Sequence, residues 1–196
     1  VSSPELVDRS QQLGVLRTTW GEVVEGQPRV AVVVGEAGIG KTRFLDELAT
    51  AIRGDEPLVL RGSCVRLAEA SLPFAPVRAA FGELLPDGGP VTPDNGWLLH
   101  AIARVLDSES QQRPVLLAVE DLHWADAGTL ELVDYLARAL RRSRVLVVVN
   151  LRSEPPPRPA VADVVGELTR LPHTVRIVLP RLSPSGVAHQ MRGILG

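Results

Sequence analysis

A glycine-rich loop between an apolar strand and a helix constrains the fold of this chain more than any other feature. The strand is predicted from RVAVVV (29–34), the loop is GEAGIGKT, and the periodic apolar residues after it predict a helix that ends at Gly54. Glycines allow the loop to turn its N–H groups inward at the start of a helix, where they can hold an anion. Lys41 then supplies a cation for terminal phosphates, and the Thr42 hydroxyl supplies a ligand for Mg²⁺. The predicted phosphate-binding residues are Gly35, Glu36, Ala37, Gly38, Ile39, Gly40, Lys41, Thr42 and Arg43.

Four further apolar runs of strand length follow and alternate with helical patterns. They are PLVLRGS (57–63), PVLLAV (114–119), VLVVVNL (145–151) and VRIVL (175–179). Because the strands are apolar throughout, the alternation predicts an α/β fold, a parallel five-stranded sheet with helices on both faces. A strand also intervenes between the loop and the acidic motif described next. That spacing is typical of the ASCE, AAA-like division of P-loop NTPases, with strand order 5-1-4-3-2 and ligands at the carboxyl ends of the strands.

An acidic pair ends the third predicted strand, within VEDLHWAD (119–126). A phosphate loop needs an acid at the end of another strand, to hold the Mg²⁺ shell and to orient a water. Glu120 and Asp121 are therefore the predicted catalytic acids and, with Thr42, the predicted Mg²⁺ ligands. Arg152 ends the fourth strand and is predicted to face the γ-phosphate as a cationic sensor. The alternative for the two acids is a solvated loop after the strand.

The residues around the acidic pair have simpler interpretations. Metal ligation by His123 is disfavoured, because the other histidines are scattered and no zinc-like spacing occurs. Trp124 is expected to pack under the following helix, and Asp126 to cap that helix at its N-terminus. Cys64 is expected to be buried and inert.

Composition narrows the class of protein. With 45% hydrophobic residues, 22% charged residues and a net charge of -2, the chain has the balance of a globular domain and no electrostatic footprint for nucleic acid. No apolar run approaches the roughly 20 residues of a membrane span, and a single cysteine suits a reducing cytoplasm. We interpret the chain as an excised domain of a longer protein. The expected units are an adenine-side segment (1–28), a P-loop NTPase core (29–180) and the start of a helical lid (181–196).

Several segments together resemble the signal-transduction ATPases with numerous domains (the STAND class), as found in large LuxR-type bacterial transcriptional regulators. LVDRSQQL resembles the family's opening L-V-G-R-E-x-E-L, and GEAGIGKTRFLDEL its phosphate loop. VLLAVEDLHWAD matches its acidic motif, NLRSE resembles T-Y-R-S-x-E, and LPRLSPSGV resembles the segment that leads into the lid. The resemblance implies that Val7 and Arg9 lie at the adenine. Asp8, Glu120 and Asn150 depart from the family's Gly, Asp and Thr.

The resemblance also implies a function, a switch that binds ATP or ADP with Mg²⁺ and hydrolyses ATP slowly. The expected partners are nucleotide, the C-terminal domains missing from this chain, further copies of the chain on ATP binding, and DNA only through an absent domain; no membrane partner is expected. One alternative is a nucleotide-binding assembly scaffold without hydrolysis. Another is an ATPase module with a different output, such as a cyclase, a kinase or an origin-recognition-like loader.

Overall fold

The computed structural model describes residues 8–65, 74–85, 95–183 and 186. Six helices and five strands alternate along these residues in the predicted manner. In chain order they are α1 (Ser10–Val24), β1 (Arg29–Gly35), α2 (Lys41–Ala51), β2 (Leu58–Ser63), α3 (Ala75–Phe81), α4 (Asn95–Gln112), β3 (Val115–Glu120), α5 (Ala127–Ala139), β4 (Val145–Arg152), α6 (Pro159–Arg170) and β5 (Thr174–Val178). Short 3₁₀ turns occupy Arg53–Asp55, Gly82–Leu84 and Leu122–Trp124.

The strands form one parallel sheet in the order β2-β3-β4-β1-β5. This confirms the α/β fold and the predicted order 5-1-4-3-2, which is the same sequence of strands counted from the other edge. The central strands are buried along almost their whole length, which explains why β-branched, apolar residues dominate them. The carboxyl ends of β1, β3 and β4 therefore meet at one edge of the sheet.

Helices cover both faces of the sheet, and alternate residues of β1 point to opposite sides. Val30, Val32 and Val34 join a core with α3, α4, α5 and α6. Ala31 and Val33 join a second core that contains residues of α1 and α2, namely Leu16, Trp20, Val23, Phe44, Leu45 and Leu48. Each fully buried leucine or phenylalanine contributes about 1.5–3 kcal/mol of transfer free energy. The sheet is thus fixed from both sides, and its carboxyl edge is left for function.

Two boundaries differ from the sequence predictions. Helix α2 ends at Ala51, before Gly54, which lies within the 3₁₀ turn that follows the helix. The left-handed residue of this connection is Glu56 (φ 48°), so the glycine is not the stop that its position suggested. The segment PDGGPVTPDNG (86–96) is rich in turn-forming residues and predicts a loop over its whole length, but α4 already begins at Asn95. Residues 86–94, and all of the predicted lid except 181–183 and 186, lie outside the described residues.

Candidate functional site

The glycine-rich loop runs from the end of β1 to the first residue of α2. Gly38 (φ 72°) and Gly40 (φ 95°) have left-handed backbone conformations, which glycine adopts without steric cost. Gly40 is also the N-cap of α2 and offers no capping side chain, so the first N–H groups of this helix remain available to an anion. Gly35 is needed for another reason, since a Cβ there would lie 2.9 Å from Ile39 Cγ2. The loop has the form of an anion-binding site at a helix N-terminus.

Lys41, the first residue of α2, folds back over this loop. Its Nζ donates to the carbonyl oxygens of Gly35 (3.0 Å) and Glu36 (2.8 Å), and the residue is only 7% exposed. Burial lowers the pKa of the Lys41 ammonium, Asp121 opposes this shift, and Arg152 adds to it. An incoming phosphate would compensate for the lost hydration of the ammonium, because it brings opposite charge to a buried cation.

Glu120 joins the acidic strand to the phosphate loop. Its Oε2 accepts a hydrogen bond of 2.7 Å from the Thr42 hydroxyl, although the two residues are 78 positions apart. Mg²⁺ in proteins takes a few hard oxygen ligands and completes its shell with phosphate and water. A hydroxyl and a carboxylate already in contact at the start of α2 match that chemistry. Thr42 and Glu120 therefore fit a Mg²⁺ site on the basis of their own geometry.

Two residues that the sequence did not assign to the site hold Glu120 and Asp121 in place. Arg61, on β2, donates from Nη2 to Glu120 Oε1 at 2.5 Å. Asn150, on β4, is 1% exposed; its Oδ1 accepts from the Asp121 backbone N–H (2.9 Å), and its Nδ2 donates to Glu120 Oε2 (3.3 Å). In the sequence, Asn150 stands out only as a departure from the threonine of the resembled family. The signal that could have identified it is a polar residue inside an otherwise apolar buried strand.

Asp121 has a left-handed backbone (φ 55°), which is uncommon for residues other than glycine and concentrates at functional sites. Its side chain is 37% exposed, and it lines a cavity of about 580 Å³ together with Lys41, Thr42 and Arg152. Gly38, Gly40 and Arg43 line the same cavity. The structure thus brings together most of the residues predicted from the glycine-rich loop, Asp121 after the carboxyl end of β3 and Arg152 at the carboxyl end of β4.

His123 lies next to Asp121, one of the residues that line this cavity. Its Nδ1 is 3.8 Å from Asp121 Oδ1, and burial lowers the pKa of the imidazole against the opposing charge of Asp121, so the neutral form is favoured. Within the described ranges, no group of three His, Cys, Asp or Glu side chains could hold a metal. Trp124 is partly buried and packs against the larger core, whereas its packing under the following helix stays a prediction. Asp126 caps α5 as predicted, since its Oδ1 accepts from Thr129 N at 2.9 Å.

The predicted adenine side is described only from Asp8 onward, so Val7 lies outside the described residues. Asp8 keeps a left-handed conformation (φ 56°) where the resembled family has glycine. Its Oδ2 accepts from the backbone N–H (3.1 Å) and hydroxyl (2.5 Å) of Ser183, near the other end of the chain. Arg9 is 2% exposed, burial lowers the pKa of its guanidinium, and neither Nη atom has a hydrogen-bond partner in the part of the chain described.

A second contact ties the phosphate loop to the segment that precedes Ser183. Arg181 Nε donates to both carboxylate oxygens of Glu36, at 2.8 and 2.9 Å. Both residues are solvent-exposed, so the ion pair contributes little stability by itself. It nevertheless places the end of the described chain directly beside the loop.

The family model of the AAA ATPase domain matches residues 5–149, which is more than half of the chain. This chain belongs to the AAA ATPase domain family. Membership makes it a nucleotide-binding module, and such domains usually bind Mg²⁺ with the nucleotide. An uncharacterised protein of Rhizobium meliloti (strain 1021) is 27% identical in an alignment that covers 75% of this chain but only 18% of that protein. The chain therefore spans a small part of the curated relative that it matches.

Solved AAA+ structures share the fold of this AAA ATPase domain. A chain of the Drosophila ORC bound to DNA has a TM-score of 0.68 and 16% identity, over 100% of this chain and 48% of that one. The Aeropyrum pernix ORC1 protein in complex with DNA has a TM-score of 0.60 and 18% identity, over 96% and 49%. Saccharomyces cerevisiae Hsp104, in a complex with casein, has a TM-score of 0.61 and 17% identity, over 98% and 30%. At these identities the similarity establishes the fold alone.

Among the described residues, no helix has the length and apolarity to cross a membrane.

Proposed function

We propose that this AAA ATPase domain binds Mg–ATP at the glycine-rich loop and hydrolyses it slowly, as the switch of a larger signalling or transcription regulator. The observation that carries the proposal is the 2.7 Å hydrogen bond between Thr42 Oγ1 and Glu120 Oε2. It brings the predicted metal ligand of the phosphate loop into contact with the acid at the end of β3. Nothing in packing alone requires a threonine hydroxyl and a buried carboxylate to meet at the N-terminus of a helix.

The residues around this bond have separate roles. The loop N–H groups and the Lys41 ammonium bind the phosphates, and Thr42 and Glu120 hold the metal. Mg²⁺, when bound, neutralises charge that develops on the transferring phosphoryl group. Asp121 orients a water and accepts its proton, and its exposed position at the cavity leaves room for that water. Arg152 stabilises the charge of the departing γ-phosphoryl group.

The adenine and lid roles are part of the same proposal. Arg9 presents a buried guanidinium with no partner for its Nη atoms among the described residues, which suits a ligand that is bound there. Asp8 and Arg181 connect the opening segment and the phosphate loop to the entrance of the lid. In this switch, ADP favours a closed state, whereas ATP with an inducer permits an open, oligomeric one.

Phosphate release tests hydrolysis directly. We expect the domain to release phosphate from Mg–ATP above the rate of a no-enzyme control, and Asp121→Asn to remove most of that release. Release that stays at background while ATP still binds would favour a nucleotide-binding assembly scaffold. One observation favours that scaffold, because Glu120 Oε1 already accepts a hydrogen bond from Arg61, which competes with a metal ion for this oxygen.

The proposal also concerns the output of the larger protein that contains this domain. A LuxR-type regulator would carry a DNA-binding domain far beyond the described residues, and DNA would be contacted there. An origin-recognition-like loader is the alternative that the fold similarity supports, since two of the similar structures are bound to DNA. DNA binding by the isolated domain would favour the loader. Its absence, with DNA binding by the full-length protein, would favour the regulator.

A further inference from the structure

Arg61 contacts the proposed metal-binding acid from a strand that the mechanism does not otherwise use. It lies on β2, next to β3, and β2 pairs with β3 up to the position where Ser63 faces Glu120. Its Nη2 and Nε donate to Glu120 Oε1 at 2.5 and 3.2 Å, and its Nη1 donates to Asp46 Oδ1 of α2. The guanidinium therefore bridges the acid at the strand end and the helix that begins at Lys41.

The two oxygens of Glu120 face different partners. Oε2 faces Thr42 and Asn150, both neutral, whereas Oε1 faces the cation of Arg61. The Glu120 side chain is only 9% exposed, and a buried carboxylate needs a nearby positive charge. Arg61 supplies that charge without metal. Burial of the guanidinium opposes its charge, but the hydrogen bonds that Arg61 donates to the carboxylates of Asp46 and Glu120 outweigh it and raise the pKa of Arg61, so the side chain stays charged.

We propose that Arg61 is a tethered counter-cation, which supplies at Glu120 the positive charge that Mg²⁺ brings when nucleotide is bound. In the empty site Arg61 neutralises Glu120 and repels a second cation, so divalent metal binds weakly without nucleotide. The phosphates of ATP restore the negative charge, and the metal enters with them. Metal occupancy thus depends on nucleotide. The dependence of metal occupancy on nucleotide rests on the proposed Mg–ATP binding.

Replacing Arg61 with a neutral residue should change the affinity for a divalent ion and the affinity for metal-free ATP in opposite directions. A divalent ion beside Thr42 loses a repulsive neighbour within a few ångströms, so its affinity for the empty site should rise by about tenfold at moderate salt. Metal-free ATP instead meets an unmasked Glu120 carboxylate near its phosphates, and its affinity should fall by about the same factor. A residue that merely positions Glu120 would weaken both ligands when removed. The directions of the two affinity changes therefore distinguish a counter-cation from a residue that only supports the structure.

The first measurement is a Mn²⁺ titration of nucleotide-free protein, followed by electron paramagnetic resonance. Arg61→Met should bind Mn²⁺ about tenfold more tightly than the natural chain, and Arg61→Gln should do the same if one of the variants folds poorly. Arg61→Lys keeps the charge and should resemble the natural chain. Unchanged or weaker Mn²⁺ binding in the neutral variants would overturn the proposal.

Arg29→Met is the matched control. Arg29 is similarly part-buried and ion-paired, with its Nε 2.9 Å from Glu22 Oε2, but it begins β1 at the opposite edge of the sheet. Its loss should leave Mn²⁺ affinity unchanged; a gain equal to that of Arg61→Met would show a general charge effect and overturn the assignment.

The second measurement is calorimetry of ATP in excess chelator. ATP should bind Arg61→Met more weakly than the natural chain, and tighter or equal binding would overturn the proposal. Failure of the proposed function looks different, because the natural chain would then bind no ATP with or without Mg²⁺. The Mn²⁺ titration needs no nucleotide and would still decide the role of Arg61.

Discussion

Gly35 and Arg152 are partners in the register of neighbouring parallel strands, and each is the last residue of its strand. The start of the phosphate loop and the backbone of Arg152 at the end of β4 are thus fixed side by side by backbone hydrogen bonds. The adjacent strand β3 ends at Glu120, with Asp121 next to it. The site does not have to be assembled by movement of flexible loops, because the register of the sheet already places its residues at one edge.

This placement predicts separable effects on binding and turnover. Arg152→Ala should lower kcat by about 10²–10³ because it removes a cation aimed at developing charge. Asp121→Asn should lower kcat by about 10²–10⁴ because it removes the proton acceptor. Both should change the Kd for ATP far less. Single-turnover phosphate release and calorimetry on the same preparations measure the two quantities, and a variant with an unaltered rate would refute the role assigned to its residue.

Gly62 is predicted to be essential for folding, not for chemistry. A Cβ at this position of β2 would lie 2.1 Å from the carbonyl oxygen of Pro76, so strand and helix α3 could not keep their separation. Gly62→Ala should reduce the free energy of unfolding by about 3 kcal/mol. Gly166→Ala is the matched control, because nothing lies within 4 Å of a Cβ there, and it should stabilise α6 by about 0.5–1 kcal/mol. Urea denaturation compares the two; equal stability of both variants would contradict the close packing.

Cys64 is predicted to be unreactive in the folded protein. Burial is the main cause that raises the pKa of the thiol to about 12, with the charges of Asp126 and Asp121 adding to it. A raised pKa keeps the thiol protonated, so at pH 8 only about one molecule in ten thousand carries the reactive thiolate. Alkylation by iodoacetamide should be very slow at pH 8 and rapid after unfolding in urea. Rapid labelling of the native chain would show that the site opens.

The strand order and the main site residues could be predicted because each depends on local patterns. Apolar strands, a glycine-rich loop and an acid pair can be identified in short windows, and parallel topology then fixes the edge where they meet. The single lysine among 21 basic residues offered a further signal, since the chain uses arginine everywhere except at position 41 of the phosphate loop.

Arg61 and Asn150 could not be assigned in the same way. The sequence shows an arginine in a strand and an asparagine in a strand, but it does not show which side chain each one meets. Arg61 is 59 positions from Glu120, and Asn150 is 30 positions from it. Their roles depend on the β2–β3 and β3–β4 registers, to which no short window of sequence is sensitive. The left-handed Asp8 is a similar case, because its side chain is held by Ser183, 175 positions away.

Calorimetric titration of Mg–ATP into the natural chain and into Lys41→Ala tests whether ATP binds at the glycine-rich loop. Lys41 is the cation of the loop, and its loss should weaken binding on the order of 100-fold, beyond detection for a site of moderate affinity. Thermal unfolding without nucleotide would establish that the variant is folded. We expect saturable binding to the natural chain and none to a folded Lys41→Ala. Equal ATP affinity in the two proteins would show that ATP does not bind at this loop.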